Sequence, residues 1–188
     1  MLDTIGERRP VVLCGLSMGG VIAFDFFRRH RARLRALVRV DCRANADSPE
    51  GWQQREDLAQ AVLRDGSRVA ADSMIDKLLA PQAAPALRAE WRAIMAATPP
   101  VGVAAAARAL AQRPDSTATL GRIDVPTLLV FGEEDRITPP DLARQMFAAI
   151  PGARLELIPA AGHLPPVEQP DRFVQVIRAF LAELPKKV

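Results

Sequence analysis

The chain has 188 residues, 49% of them apolar and 25% charged, which suits one globular domain and excludes a low-complexity or disordered chain. Its 25 basic and 22 acidic residues leave a formal charge of +3, too small an excess to imply a nucleic-acid binder. Two cysteines, Cys14 and Cys42, cannot build a disulfide framework, so a reducing compartment is expected.

The first segment of interest lies near the N-terminus. The longest uncharged stretch, Val11 to Phe24, is too short to span a bilayer and is interrupted by Gly15, Gly19 and Gly20. Arg8-Arg9 ahead of it has the look of a twin-arginine export signal, but no small-residue cleavage site follows and the stretch reads better as strand, turn and helix. The expectation is a cytoplasmic protein that engages no membrane.

Val11-Val12-Leu13-Cys14 is a continuous apolar run ending at Gly15, the pattern of a strand buried on both faces. From Met18 to about His30, the residues Val21, Ile22, Phe24, Phe26 and Phe27 predict a buried helix. A second strand is predicted over Ala36 to Val40, stopping at Asp41. Residues Cys42 to Asp124 then change character: Ala-, Arg- and Gln-rich, helical in pattern, and cut by Pro49, Pro81, Pro85, Pro99, Pro100 and Pro114. This stretch reads as an insertion of about four helices. Strand character returns at Thr127 to Phe131, a helix follows near Asp141 to Ile150, and another strand covers Arg154 to Ile158. In the last helix Phe173, Val176, Ile177, Phe180, Leu181 and Leu184 fall on one face, with Pro170 at its start. Strands separated by helices imply an α/β fold with a parallel sheet. The core is expected over 1–41 and 125–188, with the helical cap over 42–124.

Gly15-Leu16-Ser17-Met18-Gly19-Gly20 lies between a predicted strand and a predicted helix, the context that gives G-x-S-x-G its meaning. A sharp strand-to-helix turn exposes the serine, small residues either side spare the backbone a clash, and the helix N-terminus favours developing negative charge. A phosphate-cradling turn is the other use of such a segment, but neither G-x-G-x-x-G nor a Walker lysine is present. A serine nucleophile needs a base, and the chain has two histidines. His30, in Arg28-Arg29-His30-Arg31, reads as a solvated cap at a helix end. His163, in Ala161-Gly162-His163-Leu164-Pro165, follows the end of a predicted strand, the edge where a parallel sheet places ligand-facing residues. For the carboxylate that orients the imidazole, Asp135 follows a strand directly. Glu133 and Glu134 read as solvated loop charges, Asp124 stands at the wrong end of its strand, and Asp41 is the reserve.

These segments together resemble the α/β-hydrolase superfamily, whose chain order is Ser, then Asp, then His. Cys14-Gly15-Leu16-Ser17-Met18-Gly19-Gly20 resembles its nucleophile elbow, Val125-Pro126-Thr127 through Asp135 the strand and turn that bear the acid, and Ala161-Gly162-His163 the base loop. Asp41-Cys42-Arg43-Ala44 and Arg113-Pro114-Asp115-Ser116 resemble the branch of 3-oxoadipate enol-lactonase-like small esterases and lactonases. The resemblance implies a serine hydrolase acting on a small-molecule carboxylic ester or lactone. Ser17 would be the nucleophile, His163 the base, Asp135 its orienter and the Met18 N–H an oxyanion-hole donor. No cofactor and no metal is implied. Acyl transfer or cofactor-free haloperoxidase chemistry uses the same triad, and an inactive binding or assembly module is the reading of a different class. Trp52, Met74, Trp91 and Met95 are candidates for an apolar pocket lining, or else for plain core packing.

The resemblance also implies a sheet of eight strands with the nucleophile after the fifth, whereas Ser17 follows the first strand found here. The sequence therefore corresponds to the last four strands and the cap. A second oxyanion donor would come from a loop in the missing half, and Val11–Cys14 would be an exposed edge open to pairing with a second copy. A start codon placed too late, strands supplied by another chain, or an inactive relative would each account for this. The first is favoured, because an intact Ser/Asp/His set is not expected to persist in a fragment without use for it.

Overall fold

The computed structural model describes residues 6–185, so the first five and last three residues of the expected core segments lie outside the described residues. In chain order it forms β1 (Val11–Leu16), α1 (Met18–His30), a single 3-10 turn (Arg31–Arg33) and β2 (Leu34–Val40). Then come α2 (Pro49–Asp65), α3 (Arg68–Leu78), α4 (Pro85–Ala97), α5 (Pro100–Ala111) and the one-turn α6 (Thr117–Leu120). The chain ends with β3 (Thr127–Gly132), α7 (Pro140–Ala149), β4 (Arg154–Ile158), the short α8 (Pro165–Glu168) and α9 (Pro170–Glu183). Prolines that break up the insertion in sequence mark helix starts in space. Pro49, Pro85 and Pro100 each occupy the first turn of a helix, where a missing N–H costs nothing.

The four strands are all parallel and lie in the order β1-β2-β3-β4. Alternation along the inner strands feeds two cores. Leu37, Leu129 and Phe131 pack with Phe24, Phe27, Met146 and Ile150 of α1 and the α7 region, while Val38, Val40, Leu128 and Val130 pack with Val176 and Phe180 of α9. Burial on both faces explains why these strands read as unbroken apolar runs. β1 forms one edge of the sheet, and there Cys14 is exposed and Val12 and Leu13 only half-buried.

Several details differ from the sequence reading, among them β2, which begins two residues earlier at Leu34, and β3, which runs on to Gly132. β1 continues through Gly15 and Leu16, because Leu16 pairs with Val40 and the bare Cα of Gly15 lets α1 start against the strand. In α9, Leu181 is 41% exposed, so the apolar face is narrower than its periodicity implies, and Leu184 packs from just past the helix end.

The five helices α2–α6 stand between β2 and β3, which are themselves adjacent strands. α2 and α5 approach closely through Ala59, Ala104 and Ala107, whose small side chains let the backbones come together. The excursion is closed at its neck by Ser116 N–H donating to the Ala44 carbonyl at 2.8 Å. Among the described residues no single helix is long and apolar enough to cross a membrane.

Candidate active site

The carboxyl ends of the four strands lie side by side, and each carries a chemically distinctive residue just beyond it. After β1 comes Ser17, with φ 50° and ψ −110°, a conformation that L-residues rarely adopt. The turn is over-determined: Ser17 N–H donates to the Val40 carbonyl at 2.9 Å, and the Ser17 carbonyl accepts from Gly20 at 3.0 Å. A Cβ at Gly15 would lie 2.4 Å from the Gly19 carbonyl oxygen, and one at Gly20 would lie 2.5 Å from Cys42 Cβ. Gly19 is different, since a Cβ there would meet nothing. The glycines that the turn needs are therefore the first and the last of the segment, not the second glycine of G-x-S-x-G. Met18 opens α1, so its N–H is one of the first-turn donors that no helical carbonyl satisfies.

Beyond β3, Asp135 is buried and its carboxylate is filled with donors. Oδ1 accepts the N–H groups of Ile137 at 2.7 Å and Thr138 at 3.0 Å, while Oδ2 accepts the Thr138 hydroxyl. His163, beyond β4 and equally buried, directs Nδ1 at Asp135 Oδ2 at 2.8 Å. Burial opposes the charged form of Asp135, but the hydrogen bond and positive charge that His163 offers, aided by Thr138, hold the carboxyl well below the usual carboxylate range. An ionised Asp135 can only accept, so Nδ1 donates the proton of this hydrogen bond.

The base loop is fixed from outside. His163 N–H donates to the Leu78 carbonyl at the end of α3 at 2.9 Å. The Glu168 carboxylate accepts three N–H groups, from Gly162 at 2.8 Å, Leu164 at 3.1 Å and Ala80 at 2.7 Å. A Cβ on Gly162 would collide with Ala80 N at 2.6 Å, so this close seating of loop on insertion requires glycine. Sequence reasoning passed over Glu168 and Thr138. A carboxylate five residues past the histidine and a Thr three past the aspartate were the available signals.

Leu16 and Leu164, the neighbours of Ser17 and His163, pack in one apolar cluster with Leu78 and Leu79, which brings the two loops together. No hydrogen bond joins the Ser17 hydroxyl to His163 here; such contacts often tighten only when substrate is bound. The other sequence candidates lie elsewhere. His30 is exposed with its ring 5.1 Å from that of Phe26, and Asp124 pairs with Arg31 at the opposite edge of the sheet. Glu133 is exposed, and Glu134 holds Gln82 at 2.6 Å. Asp41 is at the site edge, fully buried, and accepts from Gly132 N–H at 3.0 Å.

A small cavity beside Ser17 is lined by Val21, Cys42, Arg43, Arg55, Leu110, Arg113, Ile137 and Thr138. None of Trp52, Met74, Trp91 or Met95 lines it. Trp91 and Met95 pack into the apolar cluster under the base loop, and Trp52 is 43% exposed, because the helix faces that carry them turn to other partners. Asp41, Asp135 and His163 each present one donor atom within 4.8 Å of the others, a spacing that a metal ion could use. The His163 nitrogen nearest the carboxylate is already committed to it as a hydrogen-bond donor, so the cluster fits a proton-linked set better than a ligand set.

Residues 1–176 match the alpha/beta hydrolase family. Among solved structures, an esterase from Thermogutta terrifontis with malate bound is 41% identical, with a TM-score of 0.94 over 97% of this chain and 68% of that one. 3-Oxoadipate enol-lactonase 1 of Acinetobacter baylyi is 30% identical over 91% of this chain and 64% of its own length. A pimeloyl-[acyl-carrier protein] methyl ester esterase of Neisseria meningitidis is 28% identical over 92% of this chain, which spans only 57% of it.

Proposed function

We propose, from the premise that this chain belongs to the alpha/beta hydrolase family, that it is a serine hydrolase which cleaves a carboxylic ester or lactone through an acyl-enzyme. The observation that carries this reading is the buried His163–Asp135 pair at 2.8 Å on the same sheet edge as the strained Ser17 turn. Ser17 Oγ attacks the carbonyl while His163 Nε2 takes its proton, and the Met18 N–H supports the developing oxyanion. His163 then returns the proton to the leaving alkoxide, which departs as an alcohol or, from a lactone, stays as a hydroxyl on the acyl chain. Water, deprotonated by His163, releases the acid and restores Ser17. Asp135 stays ionised throughout and stabilises the imidazolium.

The acid part of the substrate carries a second anionic group. Supporting this, Asp47 is the partner of both Arg55 and Arg113, while Arg43 has no carboxylate partner among the described residues and gives one hydrogen bond to the Ile137 carbonyl. Burial, then the Arg113 guanidinium beside it, presses the Arg43 pKa down, with the Asp47 carboxylate opposing. The malate held by the Thermogutta esterase and the 3-oxoadipate of the Acinetobacter lactonase's name are acids of that kind.

Fluorophosphonate labelling of the purified chain tests the chemistry. Labelling is expected to vanish in Ser17→Ala and to persist in His30→Ala; equal loss in both, with both variants folded, would reject the assignment.

A further inference from the structure

Asp41 ends β2 in a state that the triad by itself does not require. Its φ is +40°, in the left-handed region, and its side chain has no exposure to solvent. One carboxyl oxygen accepts the Gly132 N–H at 3.0 Å, while the other, Oδ2, is buried and receives no hydrogen-bond donor. That carboxyl reaches within 4.8 Å of both a carboxylate oxygen of Asp135 and a ring nitrogen of His163. A buried carboxylate oxygen without a donor is expensive, and two like charges so close in a dry site cannot both persist.

The contrast with Asp135 decides which of the two gives way. Asp135 takes four hydrogen bonds, one of them from the imidazole, and every one favours its ionised form. Asp41 takes one. Burial, and then its contact with Asp135, pushes the Asp41 carboxyl well above the usual carboxylate range, against the single Gly132 N–H that favours its charged form. Among the described residues no Arg or Lys hydrogen-bonds or pairs with the Asp41 carboxyl.

We propose that Asp41 is a neutral carboxylic acid at pH 7 whose Oδ2–H donates a hydrogen bond to Asp135, making it a positioning residue that holds the Asp135 carboxylate against His163. The proton sits on the oxygen that otherwise lacks a partner, so one assignment satisfies Asp41, relieves the repulsion and adds a fifth donor to Asp135. The catalytic role rests on the serine hydrolase reading; the proton does not.

The test compares Asp41→Asn and Asp41→Ala by the NMR titration of His163 and by turnover of p-nitrophenyl acetate. Asn presents an N–H where the acid presents its O–H and keeps the carbonyl that accepts from Gly132. Asp41→Asn is therefore expected to leave the His163 pKa within about 0.3 of wild type and kcat within about threefold. In Asp41→Ala, kcat should fall at least tenfold with KM little changed. Should the His163 pKa drop by a unit or more in Asp41→Asn, the native residue is ionised and the proposal is overturned. Wild-type kcat in Asp41→Ala would overturn the positioning role. Because the titration needs no turnover, an inactive chain would sink the hydrolase reading while still deciding the proton.

Discussion

Glu168 accepts the N–H of Gly162, the residue before His163, at 2.8 Å, and with its other oxygen takes the N–H of Ala80 from the insertion. One carboxylate thus ties the base loop to a segment 80 or more residues away in sequence. Removing it in Glu168→Ala leaves the N–H groups of three buried residues without acceptors, for an expected loss of about 3 kcal/mol in chemical denaturation. The rate of fluorophosphonate labelling should fall about tenfold, since the His163 ring loses its fixed seat. A variant with wild-type stability would show that these bonds are replaced by water at no cost.

The elbow glycines should separate cleanly. Gly15→Ala drives a methyl group into the Gly19 carbonyl at 2.4 Å, where only backbone can yield, and is expected to cost more than about 3 kcal/mol. Gly19→Ala meets open space within the first turn of α1 and should be neutral or stabilising by up to about 1 kcal/mol. Thermal melts of the two variants decide the point.

Arg39 is fully buried in β2, with its guanidinium 3.3 Å from the Phe24 ring centroid and one contact to the Cys42 sulfur at 3.4 Å. Two of its nitrogens have no partner among the described residues. Arg39→Met keeps most of the volume and removes an uncompensated cation, so it should raise stability by about 1–3 kcal/mol with labelling of Ser17 unchanged. A loss of stability would mean that the stacking on Phe24 outweighs the desolvation.

The two buried aspartates should shape the pH dependence of stability in opposite directions. Asp135, depressed in the folded state, contributes stability above the unfolded carboxylate value that is lost as pH falls through its folded pKa. Asp41, raised in the folded state, contributes stability that is fully present below its unfolded value near 3.8 and lost as pH rises through its folded pKa. Asp41→Asn should therefore gain on wild type by about 1.4 kcal/mol per pH unit above pH 4 until that folded pKa is passed. Urea titrations at pH 4, 5 and 6 measure the gap directly, and a constant gap would contradict it.

Arg43→Gln tests the charge of the substrate. For a monomethyl ester of a dicarboxylic acid kcat/KM should fall about tenfold, worth about 1.4 kcal/mol, with little change for the neutral ester of equal length. Equal effects on both esters would place Arg43 in the scaffold.

Much of this was legible in the sequence because the interior strands are buried on both faces. A run such as Leu128-Leu129-Val130-Phe131 needs no alternation to be recognised, and each strand is followed within five residues by one whose chemistry stands out: Ser17, Asp41, Asp135, His163 in sheet order. What stayed hidden depends on tertiary approach. Arg39 in the middle of an apolar strand gives no sign in sequence that it is stacked under Phe24 rather than solvated. Glu168 looks like one more helix-end acid until the insertion delivers Ala80 to it. The aromatic residues of the insertion, Trp52 and Trp91, invited a pocket reading, whereas arginines line the cavity beside Ser17.

The neck between Ala44 and Ser116 closes an excursion whose two ends leave and rejoin neighbouring strands. The segment from Asp47 to Asp115 leaves and rejoins the sheet between two strands that pair directly with each other. On the proposed hydrolase reading, exchanging that segment is expected to change substrate preference while Ser17, Asp135 and His163 keep their places. A graft would have to return a backbone carbonyl to His163, an N–H to Glu168 and an apolar surface to Leu16 and Leu164, as Leu78, Ala80 and Leu79 do.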